Sequence, residues 1–174
     1  MDLHERLVNV NKAAKAILEA GTFILIPISE DFNLVATNHF ILRLNDKQFW
    51  KVQCKIEAKQ HEVWLYKAKD GLEEAQGALT ADDVRNKYVT VMNHGTVGVL
   101  ASTRLNLDEY IRLYVDNTRY YGIHSKYFEM LSGGYPAIKK LASKEFLLVD
   151  DIHLICPVDL GEKKCEFLKE VALC

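Results

Sequence analysis

Short apolar runs broken by turn residues fill the stretch from Thr22 to Lys67, and they constrain the fold of this chain more than any other feature. Residues 22–28 read as a strand that ends at Pro27, which cannot donate to a ladder. Residues 30–33 read as a turn. Residues 34–44 give one or two strands, 49–57 another and 62–67 another. Asn45-Asp46-Lys47-Gln48 and Lys59-Gln60 are connections of hairpin size. The expectation is an antiparallel β-meander in which Trp50, Val52, Cys54 and Ile56 alternate onto one side and Lys51, Gln53 and Lys55 onto the other.

Before this stretch the period is helical. Leu3, Leu7, Val10, Ala14, Ile17 and Leu18 form one apolar stripe, Asp2 and Glu5 fit a capping box, and Gly21 supplies a left-handed stop. This N-terminal helix is expected to pack on the apolar face of the meander, against Val52 and Cys54. After the meander, residues 70–87 read as two helical pieces opened by Asp70 with Glu73 and by Thr80 with Asp83. Residues 88–92 and 97–103 read as a hairpin across Asn93-His94-Gly95-Thr96. A long helix follows from Asn106, with Leu107, Tyr110, Ile111, Tyr114, Val115 and Thr118 as its buried stripe. Short helices over 125–131 and 136–141, strands over 145–149 and 152–156, and a helix from Asp159 to about Ala172 complete the reading. Helices and strands mix without a strict βαβα rhythm, so the fold class is α+β. The 174 residues suit one domain, with a soft internal boundary near 104–106.

Charge is nearly balanced overall and uneven locally. The chain has 22 Lys and Arg against 24 Asp and Glu, a net charge of −2, which excludes a wholesale basic coat. Between residues 39 and 69, however, seven basic residues face three acidic ones, while residues 145–174 hold seven acids and three lysines. No apolar run approaches the ~18 residues that span a bilayer, and no signal-like apolar segment follows the first residues. A cytoplasmic protein without a membrane partner is expected. Cys54, Cys156, Cys165 and Cys174 show no CxxC or zinc-like pairing. Cys54 and Cys156 are expected to be small buried residues within strands, and Cys174 to be exposed.

Five constellations carry chemistry in outline. The first is a sheet face with Arg43, Lys51 and Lys55 beside Trp64 and Tyr66, the combination by which bases stack on rings while phosphates meet cations. The second is histidine. His39, His94 and His124 lie in or beside ordered elements, and a pair of histidines can run metal-independent acid–base cleavage of a phosphodiester. His94-Gly95-Thr96 matches half of the two-histidine phosphoesterase pattern, and the second His-x-Ser/Thr is missing. The third is Asp151 with His153, two ligands on one strand face, too few for a metal site. The fourth is Ser132-Gly133-Gly134-Tyr135-Pro136 ahead of Lys139 and Lys140, which lacks the Walker pattern. The fifth is Arg112 and Arg119 on one face of the long helix, with Asp108 and Asp116 placed to neutralise Arg112. Val35 to Leu44 is similar to a strand pair of bacterial sliding-clamp domains, without the tight glycine-containing turn of that family. The similarity spans ten residues, and no family assignment rests on it.

No complete catalytic kit, metal motif or nucleotide fingerprint is present. The sequence therefore points to a non-enzymatic binding module, an inhibitor or accessory factor, that meets a protein or nucleic-acid partner through the basic, aromatic-bearing sheet face. The alternative is a metal-independent histidine phosphodiesterase or ribonuclease. No cofactor is expected, and no small-molecule ligand is indicated.

Overall fold

The structure, a computed structural model, describes residues 8–77, 79–107, 110–116, 119–131, 136–158 and 160. Among these residues the chain forms α1 (Val10–Glu19), β1 (Thr22–Ser29), β2 (Phe32–Thr37), β3 (Phe40–Leu44) and α2 (Asp46–Ile56). Next come β4 (Trp64–Ala68), β5 (Gly71–Glu74), α3 (Ala81–Asn93), β6 (Thr96–Val99) and β7 (Ala101–Leu107). The remaining elements are β8 (Ile111–Val115), β9 (Tyr120–His124), α4 (Ser125–Met130), β10 (Ile138–Leu141), β11 (Leu147–Val149) and β12 (His153–Ile155). The α+β class expected from the sequence holds, and every strand pairing among the described residues is antiparallel.

Nine strands make one sheet in the order β5-β4-β1-β2-β3-β12-β11-β10-β6, and β7-β8-β9 make a second. The middle of the large sheet is buried on both sides, which explains why β1 and β2 are almost continuously apolar, while the edge strands β5 and β6 are mostly exposed. Phe23, Leu25, Val35, Phe40 and Leu42 face one way and share a buried cluster with Ile17 of α1, Phe49 and Val52 of α2, and Phe128 of α4. Ile24, Ile26, Leu34, Ala36 and Ile41 face the other way and meet Val84, Tyr88 and Val91 of α3. The chain passes between sheets at buried Leu100, whose N–H donates to the Ile138 carbonyl at 2.9 Å. Tyr114 and Ile123 of the small sheet join the same cluster as α1 and α2.

Several local expectations are corrected. Residues 49–57 are not a strand: Gln48, Phe49, Val52 and Ile56 fall on one buried helical stripe. The supposed hairpin residue Asn45 is the N-cap of α2, its side chain accepting from the Gln48 N–H at 2.8 Å. Cys54 is consequently exposed rather than buried. The first of the two helical pieces, from Asp70, contains the strand β5. The second is α3, and Thr80 and Asp83 close its capping box as the sequence indicates. Residues 88–92 finish α3 instead of starting a hairpin, and Gly95, at φ +75°, turns the chain into β6.

The long helix from Asn106 is replaced by β7, β8 and β9. Ile111, Leu113 and Val115 alternate with Arg112 and Tyr114, and the turn after β8 is closed by the Arg119 N–H on Asp116 Oδ1 at 2.8 Å. The proposed boundary near 104–106 lies within β7. Residues 138–141 are a strand that continues the large sheet, where the sequence suggested a helix. Leu3, Leu7, the Asp2 cap, Ser132 to Tyr135 and the final helix from Asp159 lie outside the described residues, as do Cys165 and Cys174.

Candidate binding surface

Helix α2 divides the residues once assigned to a single basic sheet face. Its buried stripe faces the sheet, so Lys51 and Lys55 point outward from the α1/α2 side. Arg43, Trp64 and Tyr66 belong to the opposite side of the sheet. Trp64 and Tyr66 share a face with their partners Ile24 and Thr22, and Arg43 with Leu34. Each of these three is already engaged. Arg43 stacks on Phe32 at 4.7 Å and its Nε donates to the Asp31 carbonyl. The Trp64 indole N–H donates to the Leu79 carbonyl at 2.7 Å, and the Tyr66 hydroxyl donates to Glu73 Oε2 at 2.7 Å. The five residues therefore do not form one surface.

What the helix assembles instead is an outward stripe of lysines beside an exposed tryptophan. Lys47, Lys51 and Lys55 recur every four residues, a rise of about 6 Å per step, whereas Lys59 follows the left-handed C-cap Glu57 and lines a cleft with Asp70 and Glu74. Lys51, Lys55 and Lys59 enter no ion pair among the described residues. On neighbouring α1, by contrast, Lys12 pairs with Glu129 and Lys15 with Glu19. Trp50 borders this lysine stripe and is 47% exposed. Its ring is held edge-on by Phe49 at 5.6 Å and by His61 at 5.5 Å, and His61 Nε2 is 2.8 Å from Gln53 Oε1. Of the nearby acids, Asp46 accepts from Asn33 Nδ2 at 2.9 Å, and Glu57 is the left-handed C-cap.

Period-two alternation had put Trp50 on the buried side. The four-residue spacing of Lys47, Lys51 and Lys55 is the sequence signal of this face.

The other candidates are separated. Arg112 lies on β8 with its guanidinium over the Phe128 ring at 4.6 Å, and Arg119 precedes β9 and stacks on Tyr121 at 5.1 Å. They share no helix. Exposed His39 sits in the β2–β3 turn, exposed His94 caps the C-terminus of α3, and half-buried His124 is the N-cap of α4. Among the described residues no hydrogen bond or ring contact joins any two of these three. Exposed Asp151 pairs with Lys139 at 2.6 Å, whereas His153 is fully buried and its Nδ1 accepts from the Arg43 N–H. The two do not converge, and no group of three potential metal ligands occurs among the described residues. Nor is any described helix long and apolar enough to cross a membrane.

A cleft of about 1130 Å³ opens beside β9 and β10, lined by Arg119, Tyr121, Lys140, Lys144 and Phe146 among others. Its cations are partly spent: Lys140 is paired with Asp116 at 2.5 Å, and Arg119 lies on Tyr121.

His124 bears on stability. Its Nδ1 accepts from the Lys126 N–H, and its ring stacks on Tyr110 at 6.2 Å. Burial first, and then the Lys126 charge, hold its pKa below the ordinary 6.5, against the opposing pull of Glu129 and Glu19. As pH falls through about 6.5 the unfolded chain takes up this proton before the folded one does, so stability present at neutral pH is lost. Denaturant midpoints measured from about pH 7 to about pH 5 are expected to fall, and His124→Gln to flatten part of that fall.

No protein-family model, curated protein or solved structure matches this chain.

Proposed function

We propose that the protein is a non-enzymatic binding module, an accessory or inhibitor component of the cytoplasm, that holds an anionic macromolecular partner on the outward face of α2. The observation that carries this reading is the pair Lys51 and Lys55, without ion pairs among the described residues, on the exposed side of α2 together with the half-exposed ring of Trp50. Lysines left in solvent at regular spacing offer charge to a partner without a large desolvation cost, and an exposed aromatic supplies contact area. The face is built on a helix fixed by four buried side chains, so it is presented without prior ordering. The large cleft is the weaker candidate, because Asp116 already neutralises one of its cations.

The test compares two charge reversals. Lys51→Glu with Lys55→Glu alters the proposed face, and Lys12→Glu with Lys15→Glu alters the adjacent, internally paired helix. Both double variants should fold, since exposed substitutions usually change stability by about 0.5 kcal/mol or less. The first should lose capture of the partner from lysate and the second should retain it. Equal capture by the first variant and the unaltered protein would remove α2 from consideration.

A further inference from the structure

We infer that the α2 face is a sequence-tolerant platform for single-stranded nucleic acid, with Trp50 stacking on an unpaired base while Lys51 and Lys55 meet phosphates. The inference rests on the reading of α2 as the binding face and names its partner. Four features of the face select this partner. First, it is cationic: the exposed positions of α2 carry three lysines and one acid, Asp46, which accepts from Asn33 Nδ2, a surface complementary to a polyanion. Second, lysine is depleted at the centres of protein–protein interfaces, whereas it holds three of the six exposed positions of α2.

Third, the exposed positions of α2 are Asp46, Lys47, Trp50, Lys51, Cys54 and Lys55. None is the Asn or Gln that pairs with adenine in a duplex groove, nor the Arg whose rigid fork pairs with guanine, and lysine, as a flexible point charge, suits phosphate contact. Gln53, the nearest amide, is spent on the Ala58 carbonyl and His61. Fourth, Trp50 is exposed yet oriented by Phe49 and His61. A fixed aromatic face is useful to a base whose own face is free, and a duplex stack keeps its base faces covered.

Fluorescence anisotropy with labelled oligothymidylate, and with a duplex of the same length, decides the matter at low salt. The single strand should bind more tightly than the duplex. Trp50→Ala should weaken single-strand binding about 5- to 150-fold, the loss given by one base–aromatic stack, while Trp50→Phe keeps most of the affinity. Trp50 is half in solvent, so the far-ultraviolet dichroism of both variants should match that of the unaltered protein.

Equal affinity for duplex and single strand would overturn the inference, as would unchanged affinity in folded Trp50→Ala. Polyglutamate binding as tightly as the oligonucleotide would overturn it in favour of an acidic protein. Failure of the oligonucleotide to bind, alongside loss of partner capture by the Lys51→Glu, Lys55→Glu variant, would overturn the nucleic-acid assignment and leave the binding face standing. Failure of both would remove the two together.

Discussion

Phe49→Ala is expected to lower the stability of the folded chain by about 3–5 kcal/mol, the range for removing a large aromatic from a close-packed core. Phe49 is fully buried and belongs to the cluster shared by α1, α2, α4 and the large sheet. It is also the side chain through which α2 is seated, one residue from Trp50 and in ring contact with both Trp50 and His61. Truncation therefore opens a cavity under the helix and removes one of the two rings that orient Trp50. Chemical denaturation should show a lower midpoint at an unchanged slope. Trp50→Ala should move the midpoint far less, because half of that ring is already in water. The contrast between adjacent positions separates the side chain that holds the helix from the side chain that serves the surface.

That adjacency also explains where the sequence was legible. β1, β2, β3, β4, β11 and β12 lie where short apolar runs placed strands, and α3 begins at the capping box that Thr80 and Asp83 announce. Residues 49–57 failed because two periods fit them at once. Trp50, Val52, Cys54 and Ile56 satisfy a period of two, while Phe49, Val52 and Ile56 satisfy three-to-four spacing. The deciding residue was Asn45, which caps a helix as readily as it makes a hairpin. Past Asn106 the ambiguity runs the other way. Leu107, Tyr110, Ile111, Tyr114 and Val115 mimic a helical stripe, but the β-branched and aromatic side chains of 111–115 fit a pleated strand.

The strand order could not be read locally. β12 pairs with β3 across more than a hundred residues, through Leu154 opposite Ile41 and Ile155 opposite Phe40, and such pairing is set by the packed core rather than by turns. At the binding surface, composition revealed the basic excess between residues 39 and 69 and the segregation of Lys51 and Lys55 from Val52. It could not show that Arg43, Trp64 and Tyr66 lie across the sheet from them, because that follows from α2 being a helix.

Lys51→Glu with Lys55→Glu should weaken binding of the partner at least about tenfold at low salt, a decade being about 1.4 kcal/mol. Two cations that enter no ion pair among the described residues become two anions facing a polyanion, so attraction is lost and repulsion added. Folding should be little affected, since both side chains are exposed and the buried stripe of Gln48, Phe49, Val52 and Ile56 is untouched.

The salt dependence of this affinity tests the claim about α2 most directly. Each phosphate met by a lysine releases counterions from a single strand and contributes about −0.7 to the slope of log K against log salt. With oligothymidylate as the probe, the slope of the double variant should be shallower than that of the unaltered protein by about 1.4, two such contacts. Parallel slopes and equal affinities in a folded double variant would show that Lys51 and Lys55 meet no partner charge, and would contradict the account.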